Sequence, residues 1–206
     1  KAGILLSVLA IFLLLIYYAK KKKKTFQALL MFVLFVIVGV IGVNNSSLKV
    51  RFNDAYQEMT KEYKNPVSYV QSTGARIWVW KSTIEVIKEN PLLGVGVGDT
   101  RYELTKKHKE IGIIDESIIK LDSHQQYLQT TATIGIIGLI SLLLIFASLF
   151  YYSKKQSHFI LFGFTLTYLL FGFTESMFET QGGIIFFTFF SLFLVSKPQS
   201  KIENKT

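Results

Sequence analysis

Hydrophobic positions in this chain fall in long uninterrupted blocks. Residues 2–19 and 26–43 each run 18 positions without a charge, 134–152 runs 19, and 159–173 and 182–196 run 15 each. A helix rises about 1.5 Å per residue, so each of the first three runs is long enough to cross a hydrocarbon core of about 30 Å. The two shorter runs are marginal alone, but charge-free flanks lengthen them, and they read as a tight hairpin. None of the runs alternates with period two as barrel strands do, and in lipid an isolated segment satisfies its backbone only as a helix. The pattern predicts an all-α, polytopic membrane protein of about five spans. Residues 1–43 would hold two spans joined by a cytoplasmic lysine loop, 44–133 a long helical extracytoplasmic loop, 134–196 three spans, and 197–206 a cytoplasmic tail.

A loop of about 90 residues is too long for a plain connector. Residues 48–63 mix apolar and charged positions at helical intervals and read as a helix along the membrane surface, broken at Asn65-Pro66. Ser72 or Thr73 can cap the next helix, which runs to about Glu89, with Ile77, Trp80, Ile84 and Ile87 giving one apolar face. Asn90-Pro91 stops it, and the sequence LLGVGVG over 92–98 is a glycine-punctuated turn. Asp99 then caps a short helix to about His108, and 109–121 read as an ordered or mobile excursion. Asp122 or Ser123 caps a helix that starts with His124 and continues into the third span.

Charge orients this arrangement. Lys20 to Lys24, Lys154, Lys155, Lys197, Lys201 and Lys205 share one side of the membrane with a single acid, Glu203. By the positive-inside rule that side is cytoplasmic. The long loop is close to neutral, with 12 Lys+Arg against 11 Asp+Glu over 44–133. The formal charge of +9 is therefore a topology signal rather than the basic face of a nucleic-acid binder. Cysteine is absent, which excludes disulfides, thiolate metal sites and a cysteine nucleophile. The chain reads as the C-terminal part of a longer membrane protein, and its first run lacks the cationic start and small-residue cleavage site of a signal peptide.

Two residues stand out for chemistry at the outer lipid–water boundary. Arg76 falls one turn into a capped helix, where its planar fork and the helix dipole both favour a phosphate anion. The plainer reading is a surface arginine paired with an acid or snorkelling to headgroups. Trp78 and Trp80 suit an interfacial position. His124 sits at the mouth of a span beside Gln125, Gln126 and Tyr127, and imidazole can take a proton from a hydroxyl near neutral pH. Its plainer reading is a polar helix terminus. His108 and His158 read as solvated. Glu175 and Glu179 lie in the outer turn, where they can position a base or meet an acceptor, or simply be solvated acids. Asp115, Glu116 and Asp122 match no calcium-loop spacing, so no metal site is expected. GVGVGD lacks the GxxxxGK[ST] pattern of a nucleotide loop.

The ordered set is more specific than its parts. Arg76-x-x-x-Trp80 on a helix, the sequence NPLLGVGVG, and His124-x-x-Tyr127-Leu128 leading into GIIGL at a span together resemble the O-antigen ligase / O-antigen polymerase family of bacterial inner-membrane proteins. That resemblance covers residues 72–149 well, and matches the C-terminal portion of the family. It implies a GT-C-like fold and transfer of an undecaprenyl-diphosphate-linked glycan to an acceptor hydroxyl, either a glycan or the lipid A core, without a cofactor, a metal or nucleic acid. By the same resemblance Arg76 holds the donor's diphosphate and His124 activates the acceptor; Gln125 and Tyr127 beside the histidine, and Glu175 and Glu179 in the outer turn, are by their places in the chain candidates for meeting the acceptor or for positioning. The chain departs from the family in having Gln125 where Asn is usual after the histidine, and Thr133-Ile134 where many members carry an acid. Three alternatives are a protein O-oligosaccharyltransferase, a transporter component and a non-catalytic scaffold. A transporter would place charges within the spans, and these runs hold none.

Overall fold

Seven short and long helical elements follow one another without an extended strand among the described residues. The computed structural model describes residues 72–113 and 116–196, with isolated positions between 9 and 56. The expected spans at 2–19 and 26–43, the surface helix at 48–63, Asp115 and the tail at 197–206 lie, those isolated positions aside, outside the described residues. The elements are α1 (Ser72–Glu89), α2 (Thr100–Glu110), α3 (Glu116–Ile119), α4 (Gln126–Lys155), α5 (Phe159–Phe171), a 3-10 turn (Met177–Glu179) and α6 (Gln181–Ser196). Of these, α4 alone is long and apolar enough to cross a membrane; α5 and α6 are shorter apolar helices.

Helix α4 is not continuous. Its first turns, QYLQTTAT, are polar, and its remaining length is apolar; Ile134 and Gly135 between them leave helical geometry, Gly135 with φ 68° and ψ −170°. In an unbroken helix the Ile136 amide would donate to the Ala132 carbonyl. Here it donates to the Pro91 carbonyl at 2.9 Å, while Ala132 accepts from the Val95 amide at 2.9 Å and Thr133 from the Gly96 amide at 2.8 Å. The glycine turn after α1 is thus inserted into the break and replaces the missing backbone partners. Unpaired carbonyls and amides in a non-aqueous setting cost several kcal/mol each, so the break is stable only with the turn seated.

Backbone approach at this joint leaves no room for side chains. A Cβ on Gly135 would fall 2.0 Å from the Leu92 carbonyl oxygen, and one on Gly94 would fall 2.5 Å from the Thr133 carbonyl. Gly94 also has φ +67°. Around the joint, Val86 of α1, Leu104 of α2 and Ala132 of α4 form a buried cluster, with Ile87 and Val95 against it. A second cluster packs Ala75, Trp78 and Val79 of α1 on Ile113, Ile118 and Ile119. Phe146, Tyr168 and Phe187 join α4, α5 and α6 through an aromatic core. Ile137, Ile140, Leu144 of α4 and Ile185, Phe189, Leu192 of α6 remain exposed, an apolar exterior of the kind that faces lipid.

Several local expectations are revised. The buried face of α1 is Ala75, Val79, Ser82, Thr83 and Val86 rather than the isoleucine stripe, and Ile84 is exposed. The two hydroxyls are admitted because each donates to the Val79 carbonyl of its own helix. Trp78 is buried rather than interfacial. The excursion at 109–121 contains α3, whose Ile118 and Ile119 are part of the core. His158 is buried and its Nδ1 caps α5 by accepting from the Leu161 amide. His108 is fully buried, and its Nδ1 bonds the Ile119 carbonyl at 2.9 Å. Neither is solvated as its lysine-rich or polar surroundings in sequence imply: His108 lies on the inward face of its helix, and His158 is turned in to cap α5.

Two predictions follow from this packing. Gly94→Ala or Gly135→Ala should lower stability by at least about 2 kcal/mol, from strain and overpacking. Gly182→Ala, which meets nothing within 4 Å, should not; thermal melting in detergent separates them. Burial holds the His108 imidazole below its ordinary value of 6.5, so the folded chain keeps it neutral where the unfolded chain binds a proton. Stability should be level above pH 6.5 and fall below it, by at most about 1.4 kcal/mol per pH unit, until the folded value is reached. His108→Leu should abolish that slope in melts taken across the acid range.

Candidate active site

Three segments distant in sequence converge at the start of α4. Arg76, on the first turns of α1, donates from Nη1 to the Thr174 carbonyl and from Nη2 to Glu175 Oε1, each at 3.2 Å. The other oxygen of Glu175 lies 3.6 Å from His124 Nδ1, and Asp122 Oδ1 lies 3.4 Å from the same nitrogen. One carboxylate, from the turn between α5 and α6, therefore meets both the guanidinium and the imidazole. The cluster is open to solvent: the Arg76 and His124 side chains are each 33% exposed and Glu175 49%.

The strand of chain carrying His124 is shaped by its own side chains. Asp122 Oδ1 accepts from the His124 amide at 3.2 Å, closing a side-chain turn. His124 itself adopts φ 44°, a left-handed conformation that histidine enters more readily than most residues. The helix then begins at Gln126, two residues later than His124, and its cap is Gln125, whose side-chain oxygen accepts from the Leu128 amide. An amide side chain directly after the histidine thus has a structural task, and glutamine performs it here. Buried Ser123 accepts Trp80 Nε1–H on its carbonyl at 2.8 Å and donates its amide to Gln129 Oε1 at 3.0 Å. Trp80 is an internal strut from α1 to the His124 loop.

The outer turn is fastened to the same place. The Gln125 amide donates to Ser176 Oγ at 3.1 Å, the Gln126 amide to the Gly172 carbonyl at 2.7 Å, and the Phe178 amide to Gln126 Oε1 at 2.7 Å. Glu179 lies near Asp122 and Gln129. Partial burial raises its carboxyl above the ordinary carboxylate value, the charge of Asp122 adds to this, and a hydrogen bond from Gln129 offsets part of it. Tyr127 is turned the other way: its hydroxyl donates to the Leu169 carbonyl and its ring packs on Phe173. Among the described residues no group of three or more His, Asp or Glu side chains forms a metal-ion site.

Arg76, His124, Gln125, Glu175 and Glu179 are thus gathered at one mouth, with Tyr127 serving the α4–α5 contact. Ser176, Gln129 and the strut role of Trp80 escape sequence reasoning. For Ser176 the available signal was the polar stretch TESMFETQ between two apolar runs. Between α4 and α6 a groove of about 340 Å³ runs from Gln126 and Phe178 past Ile134, Gly138 and Phe187.

The described residues form an all-α arrangement built around a membrane-length helix, with a cation, an imidazole and carboxylates clustered at that helix's polar mouth. A family model described as O-antigen ligase matches residues 1–143, a stretch that includes Arg76 and His124. The chain belongs to the O-antigen ligase family. Membership places it among bacterial inner-membrane proteins with an O-antigen ligase-type function in surface polysaccharide synthesis. No curated protein matches the chain in sequence.

A check on the strut follows. Trp80→Phe keeps an aromatic ring, smaller than the indole, and removes the Nε1–H donor to Ser123. It should cost about 1 kcal/mol in melting, and a larger share of glycan transfer, because the loop it braces carries His124. Loss of stability without loss of transfer would contradict this account.

Proposed function

We propose that this protein transfers a glycan from a polyprenyl-diphosphate carrier to an acceptor hydroxyl at the outer face of the inner membrane. The observation that carries the reading is the single carboxylate of Glu175, which accepts from Arg76 on one oxygen and lies 3.6 Å from His124 Nδ1 through the other. It brings an anion-binding cation and a general base to one rim, next to an apolar groove where a prenyl chain can lie. On this reading the chain has five spans in a GT-C-like arrangement, with residues 44–133 and the turn 174–181 outside. The lysine-bearing turns, including Lys154 and Lys155 at the far end of α4, face the cytoplasm.

The chemistry is a single displacement. The carboxylates of Asp122 and Glu175 orient His124 through Nδ1, which leaves Nε2 to take the acceptor's proton. The hydroxyl oxygen attacks the anomeric carbon opposite the diphosphate. The bond from that carbon to the diphosphate oxygen breaks, and the electron pair leaves with the diphosphate. Arg76, reinforced by the N-terminal end of α1, stabilises the charge that develops there. The donor is already activated, so nucleotide and metal have no required step. Anomeric configuration inverts. The acceptor, a glycan repeat or a lipid-linked core, sets whether the outcome is polymerisation or ligation.

His124→Ala should lower transfer by about 10²- to 10⁴-fold through loss of the base. Arg76→Ala should lower it by about 10²- to 10³-fold through loss of charge stabilisation. Surface glycan, resolved by gel in a deletion strain carrying each full-length variant, reads both. Unchanged glycan with both variants correctly inserted would overturn the assignment.

A further inference from the structure

Glu175 occupies the place where the proposed anion has to bind. Its Oε1 and the Thr174 carbonyl take two N–H groups of Arg76, both on the terminal nitrogens that form the guanidinium's outer edge. Its Oε2 points to His124 Nδ1. A diphosphate approaching Arg76 brings more negative charge than a carboxylate and more acceptor oxygens, so the two compete for one cation. The Arg76–Glu175 pair is also partly exposed, and such pairs are weak, which makes exchange cheap. The partner waiting for a displaced Glu175 is already in reach, because His124 Nδ1 lies 3.6 Å from its second oxygen. Asp122 faces the same imidazole nitrogen, Glu179 lies beyond Asp122 with Gln129 bonded to it, and Arg76 is the cation of this cluster.

We propose that Glu175 is an internal stand-in for the donor's diphosphate, displaced from Arg76 when the donor binds and thereby handed to His124. Resting on the glycan-transfer reading above, this makes Glu175 a positioning residue that couples the two halves of the reaction. Before donor binding, its charge is shared between guanidinium and imidazole. After donor binding, the carboxylate serves His124 alone, holding Nδ1–H and leaving Nε2 aimed at the acceptor. The base is completed only when a leaving group is in place, so donor binding precedes productive binding of the acceptor. The turn that carries Glu175 is suited to such a step: Ser176 and Phe178 anchor it to the start of α4, while Glu175 between Thr174 and Ser176 keeps a solvent-exposed side chain free to change partner.

Glu175→Gln tests this, since it removes the charge and keeps the shape; Glu175→Asp is the conservative control. Two readouts are needed in the whole protein: binding of inorganic pyrophosphate in detergent, by thermal shift or calorimetry, and glycan transfer in membranes. With Glu175→Gln we expect pyrophosphate to bind several-fold more tightly, because the internal competitor is gone, while transfer falls at least tenfold. Glu175→Asp, which keeps the charge on a shorter arm, should bind pyrophosphate less tightly than Glu175→Gln and recover part of the transfer that Glu175→Gln loses. A residue that merely supported the fold would weaken both readouts together, and that result would overturn the proposal. Tighter pyrophosphate binding with undiminished transfer would also overturn it, since the coupling to His124 would be absent. If Arg76→Ala kept wild-type pyrophosphate binding and transfer, the failure would lie in the underlying transferase reading. If Arg76→Ala lost both while Glu175→Gln changed neither, the failure would lie in this inference alone.

Discussion

The seating of the loop helices against the long apolar helix depends on three backbone hydrogen bonds between the turn at 91–96 and the interrupted helix at 132–136. A helix that breaks near lipid exposes carbonyls and amides with no water to receive them. Here the partners come from another segment of the chain, and the exchange works in both directions: Pro91 accepts what Ala132 would have accepted, and Val95 and Gly96 supply donors in return. Gly94 and Gly135 are the two positions where this contact is closest, and each would drive a side chain into backbone. The joint ties the helices of the loop rigidly to the membrane helix, and so fixes Arg76, on α1, relative to His124, just ahead of α4.

The site is a consequence of that joint and of a second fastening on the other side. Trp80 reaches from α1 to Ser123, and Ser176, Gly172 and Phe178 bind the outer turn to Gln125 and Gln126. The polar residues around His124 mostly serve backbone groups, and this leaves few side chains free to act: Arg76, His124, Asp122, Glu175 and Glu179. They set one guanidinium against three carboxylates, so on the reading proposed above an anionic headgroup competes with a carboxylate for the cation and can be released again. On that reading a cation left bare would bind the leaving group too firmly, and the carboxylate beside it would keep the exchange reversible.

The family resemblance was carried by short pieces, Arg76-x-x-x-Trp80, NPLLGVGVG and His124-x-x-Tyr127-Leu128, and the match to the O-antigen ligase family spans them. Their physical meaning was only partly visible. The glycine turn was legible as a turn, because Asn-Pro and repeated glycine permit little else. That it would replace helical hydrogen bonds in α4 was not, because the break at Ile134-Gly135 sits inside an apolar run that hydropathy reads as continuous. The histidines show the same limit. Lysines around His108 suggested solvent, yet successive helical residues face different directions, and His108 is the one turned inward against Ile119. The isoleucine spacing on α1 named the wrong stripe, since Ser82 and Thr83 can be buried once their hydroxyls bond back to Val79.

By itself the sequence determined the all-helical character, the membrane-length apolar run in α4, the polar mouth that precedes it, and the residue types able to hold a diphosphate and accept a proton. These follow from length, hydropathy and side-chain chemistry, which are local properties. Only the tertiary structure decided that Glu175, about 100 positions from Arg76, places one oxygen on the guanidinium and the other toward His124. That contact is set by how the α5–α6 turn folds back over the start of α4, through hydrogen bonds between segments whose meeting no local pattern encodes.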